Sequence, residues 1–337
     1  METGIVGNGV FSSESVDGSR DVWSCKNLIL LRLIILLSCV ADWKFAAEQF
    51  VKLLPNKVSE RNVSMLTLDG VDVMGQRLVE EPNLKKISFV AHSVGGLVAR
   101  YAIGKLYRAS KIENVEDSSI SGSEEDSRGT IGGLEAMNFV TVATPHLGSR
   151  GNKQLRIHLI FRRTGRHLFL TNFDEGKPPL LKRMIEDYED CYFMSALHTF
   201  KRRMLYSNVG YDHIVGWRTS SIRRNFEQPK WKDTVNENYP HVVYEEHCKA
   251  CDAEESEATL ADDDSSDKLE EELVIGLSCV SCEKVDVSFQ NSRQRFVAYS
   301  IIQVYNIIIM IKNQPTHCQF SISLHSKFYF FDNFFKS

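Results

Sequence analysis

The residues best placed to do chemistry stand in Ile87-Ser88-Phe89-Val90-Ala91-His92-Ser93-Val94-Gly95-Gly96-Leu97. A short apolar run over 87–91 (ISFVA) leads into a small-x-Ser-x-Gly-Gly turn. Residues 95–107 follow with Leu97, Ala99, Ile103 and Leu106 at helical spacing. A serine on a sharp strand-to-helix turn is a nucleophile elbow. So tight a turn holds the serine in a strained backbone conformation. It also demands small residues two before and two after, which Ala91 and Gly95 supply. The start of the helix then points at the serine oxygen, and the first N–H can donate to an oxyanion. Ser93 is the candidate nucleophile and Val94 the candidate oxyanion donor.

A serine nucleophile needs a base and a group that orients the base. On α/β-hydrolase scaffolds the chain order is Ser, acid, His. Asp212 lies just beyond the strand-like run 202–209, where an orienting carboxylate belongs. His213 is adjacent, but neighbouring side chains in a loop rarely converge on one another. His241, His247, His317 and His325 also follow Asp212. Nothing in their context marks them, and each reads as a surface or packing histidine. The base is left unassigned.

These residues need a scaffold. Strand-like runs over 87–91, 137–143, 202–209 and 285–289 alternate with helical spacing. Uninterrupted apolar strands separated by helices predict an α/β architecture, a mostly parallel central sheet with helices on both faces. Residues 151–203, rich in Arg, Lys and aromatics, read as a helical cap insertion. Two acidic, Ser-rich runs, 113–133 and 252–272, read as solvated insertions, because such composition cannot repay its ordering entropy. Residues 1–26 are polar and expected to be disordered; 27–304 form the main domain; 305–337 is an atypical tail rich in Ile, Phe and Asn. The 337 residues are 43% hydrophobic and 25% charged, enough for a full core. A net charge of −4 argues against nucleic acid as a partner.

The apolar run 28–40 (LILLRLIILLSCV) contains Arg32 and is shorter than the ~20 residues a spanning helix needs. It reads as a core element, with a membrane-interface anchor or a targeting segment as the alternatives. The formal sequon Asn62-Val63-Ser64 means little without secretion. Eight cysteines in a chain this long, with no convincing signal peptide, read as reduced thiols. Cys248-x-x-Cys251 and Cys279-x-x-Cys282 could place four sulfurs around zinc. The gap between the halves exceeds the common spacing and is filled by acidic sequence, so unrelated thiols and no metal are the expectation.

From these residues upward the chain resembles the plant lipase-like serine esterases, α/β-hydrolases related to fungal lipid-droplet lipases and phospholipases. The resemblance rests on FVAHSVGGLVARYAIGKLY (89–107), FVTVATPHLGSRG (139–151), YDHIVGWRTSSIRR (211–224) and VDVSFQNSRQRFVAYSIIQV (285–304). It implies an α/β-hydrolase fold, Ser93 as nucleophile and Asp212 as acid. It also implies a loop beside the site at Thr144-Pro145-His146-Leu147-Gly148. The substrate class it implies is a lipid acyl ester, and Ser-based acyl transfer needs no metal or organic cofactor. A cytoplasmic location is expected, peripheral to a membrane or lipid droplet; the basic and apolar region 151–203 reads as an ordinary packed helical cap, with a lid facing anionic lipid as the alternative.

Two departures from the family matter. The family's catalytic His falls in an Ala-His-Asn-like step that here reads Ala298-Tyr299-Ser300. Tyrosine, with an unperturbed pKa of about 10, cannot take the serine proton at neutral pH. The family also carries a His-Gly oxyanion loop after an early strand, yet none of the ten histidines is followed by Gly. Losing a base can cost about 10⁶ in turnover. Losing one oxyanion donor costs about 10²–10³. Three readings follow: a serine ester hydrolase, a non-catalytic relative that binds lipid or protein, and an altered or truncated gene product.

Overall fold

The computed structural model describes residues 28–31, 57–59, 68–79, 86–110, 129–149, 162–172, 176–188, 190–231, 241–250, 265–293 and 295–302. The segment 1–26, the sequon at Asn62, most of the first acidic run, Cys251, His317, His325 and the tail 305–337 lie outside them.

Apolar runs at the predicted places form the centre of the sheet. These are β3 (Lys86–His92), β6 (Glu135–Val142), β9 (Arg202–Asn208) and β11 (Cys282–Val287). β1 (Leu28–Leu31) and β2 (Lys57–Ser59) extend it on one side, and β10 (Val242–Cys248) closes it on the other. The order is β10-β11-β9-β6-β3-β1-β2, parallel except for the antiparallel β10–β11 pair. Two short hairpins stand apart from it, β4 (Tyr107–Arg108) with β5 (Thr130–Ile131), and β7 (Asp187–Tyr188) with β8 (Cys191–Tyr192).

The central strands β3 and β6 are largely apolar because both their faces are covered. On one face Phe89, Phe139 and Leu205 pack with α1 (Val71–Val79), α2 (Val94–Leu106), α5 (Phe193–Thr199) and α7 (Ser265–Ser278). Phe89, Phe139 and Phe200 form a ring cluster with centroids 5.3–6.0 Å apart. On the other face Val90, Val140, Tyr206 and Val287 pack against Ala298, Tyr299 and Ile302 of a helical turn over 298–302. The described part of the cap region holds α3 (Arg162–Leu168), α4 (Leu180–Arg183), the β7–β8 hairpin and α5, and β9 begins at Arg202.

Two elements differ from the sequence expectation. The fourth strand begins at Cys282 rather than Val285 and ends at Val287. The second acidic run is not wholly a solvated insertion. Its residues 265–272 belong to α7, where Leu269 and Leu273 pack on the core and Glu270 is buried against Arg218 at 2.8 Å. Ion pairing to basic residues on neighbouring elements repays the desolvation that composition alone disfavours. The apolar run starting at Leu28 contributes β1, lying between β2 and β3 with Leu31 level with Ala91.

Candidate active site

Ser93 sits between the end of β3 and the first residue of α2, with φ 56° and ψ −136°. Positive φ is rare for a residue with a side chain and stores strain. The turn is pinned by the Ser93 N–H, which donates to the Val142 carbonyl at 2.9 Å, and by the Gly96 N–H on the Ser93 carbonyl at 3.1 Å. The Ser93 hydroxyl is buried and has no hydrogen-bond partner among the described residues. Val94 opens the helix, so its N–H has no intrahelical acceptor. Ala91 is fully buried, as the small position before the serine requires. The second glycine is as constrained as the first. A Cβ at Gly96 would meet Thr144 Oγ1 at 2.3 Å and Cγ2 at 2.5 Å.

β3, β6, β9 and β11 are parallel, so their C-terminal ends open on one edge of the sheet. Ser93 follows β3, Thr144 follows β6, Asp212 follows β9, and Tyr299 follows β11 by way of the 288–297 loop. The carboxylate of Asp212 is held locally. Oδ1 accepts the N–H of Ile214 at 3.0 Å and of Val215 at 2.9 Å, and Oδ2 accepts Asn208 Nδ2 at 3.0 Å. This fixes the 209–215 loop and leaves Oδ2 with further acceptor capacity. The half-buried Asp212 thus caps its own turn while standing at the edge where an orienting acid belongs. His213 is exposed.

Tyr299 is brought directly to the elbow. Its ring packs against His92 at a 48° tilt, with centroids 4.6 Å apart, and its carbonyl accepts a hydrogen bond from His92 Nε2 at 3.0 Å. His92 is the residue before Ser93, so the position that the resemblance assigns to the base contacts the elbow itself. The sequence reading passed over His92. Its only signal was parity: it shares a face with Val90, the face that 298–302 covers. Burial pushes the His92 pKa down to about 4, against the raising effect of the Tyr299 carbonyl. A ring so weakly basic is a poor replacement base.

Of the described histidines, His241, His247 and His146 do not supply one. His241 opens β10 and so stands at the correct edge, with Nδ1 donating to the Ser288 carbonyl at 3.1 Å. Four strand spacings separate β10 from β3, about 19 Å at ~4.8 Å each. His247 is exposed on β10. His146, in the Thr144–Gly148 loop, is 2% exposed, and its Nε2 pairs with Thr141 Oγ1 at 3.0 Å. Burial first, then Arg100 and Lys284, push its pKa well down. That loop is held by Thr219, whose hydroxyl accepts the Leu147 N–H at 2.9 Å and donates to the Gly148 carbonyl at 2.7 Å. His146 packs rather than reacts.

The cysteines expected to be unrelated are not all so. Cys248 and Cys282 face one another as a cross-strand pair of β10 and β11, because the acidic gap between them includes α7 and returns the chain antiparallel. Among the described residues no cluster of three or more His, Cys, Asp or Glu side chains is arranged to hold a metal.

The chain is similar in sequence to known proteins. Putative lipase ROG1 of Saccharomyces cerevisiae is 28% identical over 217 residues, 58% of this chain and 28% of its own length. Putative lipase C4A8.10 of Schizosaccharomyces pombe is 31% identical over 160 residues, 45% of this chain and 18% of its own. The chain thus spans less than a third of the length of these curated relatives. No solved structure matches it. The family described as Putative serine esterase (DUF676) matches residues 34–222, a span that contains Ser93, Val94 and Asp212 and stops short of Tyr299. With more than half of its length in that match, the chain belongs to the Putative serine esterase (DUF676) family.

Proposed function

We propose that the chain is an α/β-hydrolase-fold serine ester hydrolase acting on lipid acyl esters. Ser93 is its nucleophile, Val94 its oxyanion donor and Asp212 its carboxylate, and Tyr299 stands in the place of the base. The observation that carries this reading is the Ser93 turn, a positive-φ serine at a parallel strand's end with a buried hydroxyl that makes no hydrogen bond among the described residues. Ser93 Oγ would attack the ester carbonyl carbon as its proton passes to the departing alcohol, and water would then cleave the acyl-serine. The N–H of Val94 would meet the oxyanion in both halves. With Tyr299 in the place of the base, the proton has no efficient acceptor among the described residues considered, so turnover is slow. Triad-deficient serine hydrolases keep about 10³–10⁴ over water from the oxyanion site and binding.

An apolar substrate is supported by the rim around Asp212, where Ile214 is 43% and Phe296 64% exposed, and by the relatives named as lipases. The same rim suits a cytoplasmic chain working at the surface of a membrane or lipid droplet. No helix among the described residues is long and apolar enough to cross a membrane. A second reading, a non-catalytic relative that binds acyl lipid, is favoured by one observation, the Tyr299 ring seated on a buried His92.

Fluorophosphonate labelling of wild type, Ser93→Ala and Tyr299→His decides between them, since the probe reacts only with an activated serine. The hydrolase reading expects weak labelling of wild type that Ser93→Ala abolishes. It expects labelling and ester turnover to rise at least about 10²-fold in Tyr299→His, as a base returns. Folded wild type and Tyr299→His that both stay unlabelled would overturn it in favour of the binding reading.

A further inference from the structure

We propose that Cys248 and Cys282 form a peroxide-sensitive dithiol that closes to a disulfide, at the edge of the sheet opposite Ser93. Cys248 is the last residue of β10 and Cys282 the first of β11, and the two are direct partners in the antiparallel register. Opposed residues in such a pair have Cα atoms about 4.5 or 5.5 Å apart. Either distance lies within the ~4.4–6.8 Å that a disulfide spans. Both cysteines line a cavity of about 370 Å³, large enough to admit a small oxidant, together with Arg223, Glu246, His247 and Lys284.

The surroundings divide the labour between the sulfurs. Cys282 beside it pushes the Cys248 thiol down, burial opposes this, and Lys284 adds to it. Cys282 is pushed up by its neighbour Cys248 and by its deeper burial. Lys284 is held beside them, 7% exposed, with Nζ donating to the Ile222 carbonyl at 2.9 Å. The shallower burial of Cys248 favours it as the attacking thiolate, with Cys282 as the thiol that resolves it. The Cys248 thiolate attacks a peroxide oxygen, breaking the O–O bond and leaving Cys248 as a sulfenic acid with release of hydroxide. The Cys282 sulfur then displaces that oxygen as water, taking up its own proton, and the S–S bond forms. Two thiols are oxidised, and one hydrogen peroxide is reduced to water.

Cys282 stands at the start of β11, and Ser93 at the far end of the parallel strand β3. The proposal is accordingly independent of the ester hydrolase reading. The test treats the purified full chain with hydrogen peroxide, blocks remaining thiols and maps the peptides by mass spectrometry. The expected result is a Cys248–Cys282 linked peptide, reversed by dithiothreitol and present equally in Ser93→Ala and Cys251→Ser. In Cys282→Ser, Cys248 should instead be trapped by dimedone as the sulfenic acid. Three results would overturn the proposal: Cys248 joined to Cys251 or Cys279, Cys248 carried to the sulfinic acid in wild type with no linked peptide, or one equivalent of zinc released from the untreated protein by the oxidant.

Discussion

His92 is 1% exposed, and its ring meets Tyr299 on the side of the sheet away from α2. Burial holds its pKa at about 4, below the 6.5 of an exposed imidazole. Between those two values the unfolded chain binds a proton that the native chain refuses. The stability contribution is therefore fully present above pH 6.5 and is lost as pH falls toward 4. At about 1.4 kcal/mol per unit this one ring carries roughly 3 kcal/mol of acid sensitivity. Urea unfolding at pH 7.5 and 4.5 should show His92→Gln losing less stability on acidification than wild type. Equal losses in the two chains would mean that His92 takes its proton without cost. His146 drives the wild-type curve in the same direction, since burial and the nearby Arg100 and Lys284 also push its pKa down. Only the difference between the two chains isolates His92.

At the scale of elements, β11 carries two ion pairs in contrasting surroundings. Asp286 is fully buried and takes Trp217 Nε1 at 2.9 Å and Arg223 Nη1 at 2.7 Å. Arg223 itself is 4% exposed and also bonds Glu246 at 2.6 Å. Removing Asp286 strands a buried guanidinium on one partner. Asp286→Ala should therefore cost about 3–5 kcal/mol. Glu283 meets Arg202 with two bonds of 2.6 Å, but both side chains are about 30% open to solvent. Glu283→Ala should cost about 1 kcal/mol or less. Urea midpoints of the two variants, read against wild type, check the ordering, and similar losses would contradict it.

The same strand marks how far sequence reaches. β3, β6, β9 and α2 were legible because both faces of each strand, and one stripe of the helix, are apolar. β10 was not. As an edge strand it exposes Tyr244, Glu245, Glu246 and His247, so its sequence carries no apolar alternation. α7 was hidden by its acidic start, whose ion partners Arg218, Arg224 and Lys182 come from distant segments. Ser93 was legible for a local reason, since the turn dictates its neighbours' sizes. The contact of Tyr299 with His92 joins residues 207 apart, and no local pattern reports it.

For the molecule as a whole, the parallel sheet sorts its chemistry by edge. The elbow, Asp212 and the Tyr299 segment share one edge, and the cysteine pair occupies the other. The Ser93 edge also carries two of the exposed apolar side chains, Ile214 and Phe296. Phe296 and Ile214 flank Tyr211, whose ring meets Phe296 at 6.0 Å and Trp231 at 6.4 Å. Arg295 lies 4.8 Å from the Phe296 centroid and adds a cation to the rim. A rim of this kind favours contact with an acyl-lipid surface over a polar one. Transfer of a single large apolar side chain out of water is worth about 1.5–3 kcal/mol when complete. Phe296→Ser should therefore weaken binding to neutral phosphatidylcholine vesicles by about tenfold, and Ile214→Ser by somewhat less, as its smaller area dictates. The cation predicts a second signature. Adding anionic lipid should tighten binding in a way that salt removes, and Arg295→Gln should abolish that increment alone. None of these side chains builds the Ser93 turn, so reaction with a small soluble fluorophosphonate should be unchanged across the set. Vesicle affinity that ignores both Phe296→Ser and Ile214→Ser would place lipid contact elsewhere on the chain. Affinity that falls with labelling intact would make this edge the face the protein turns toward its substrate.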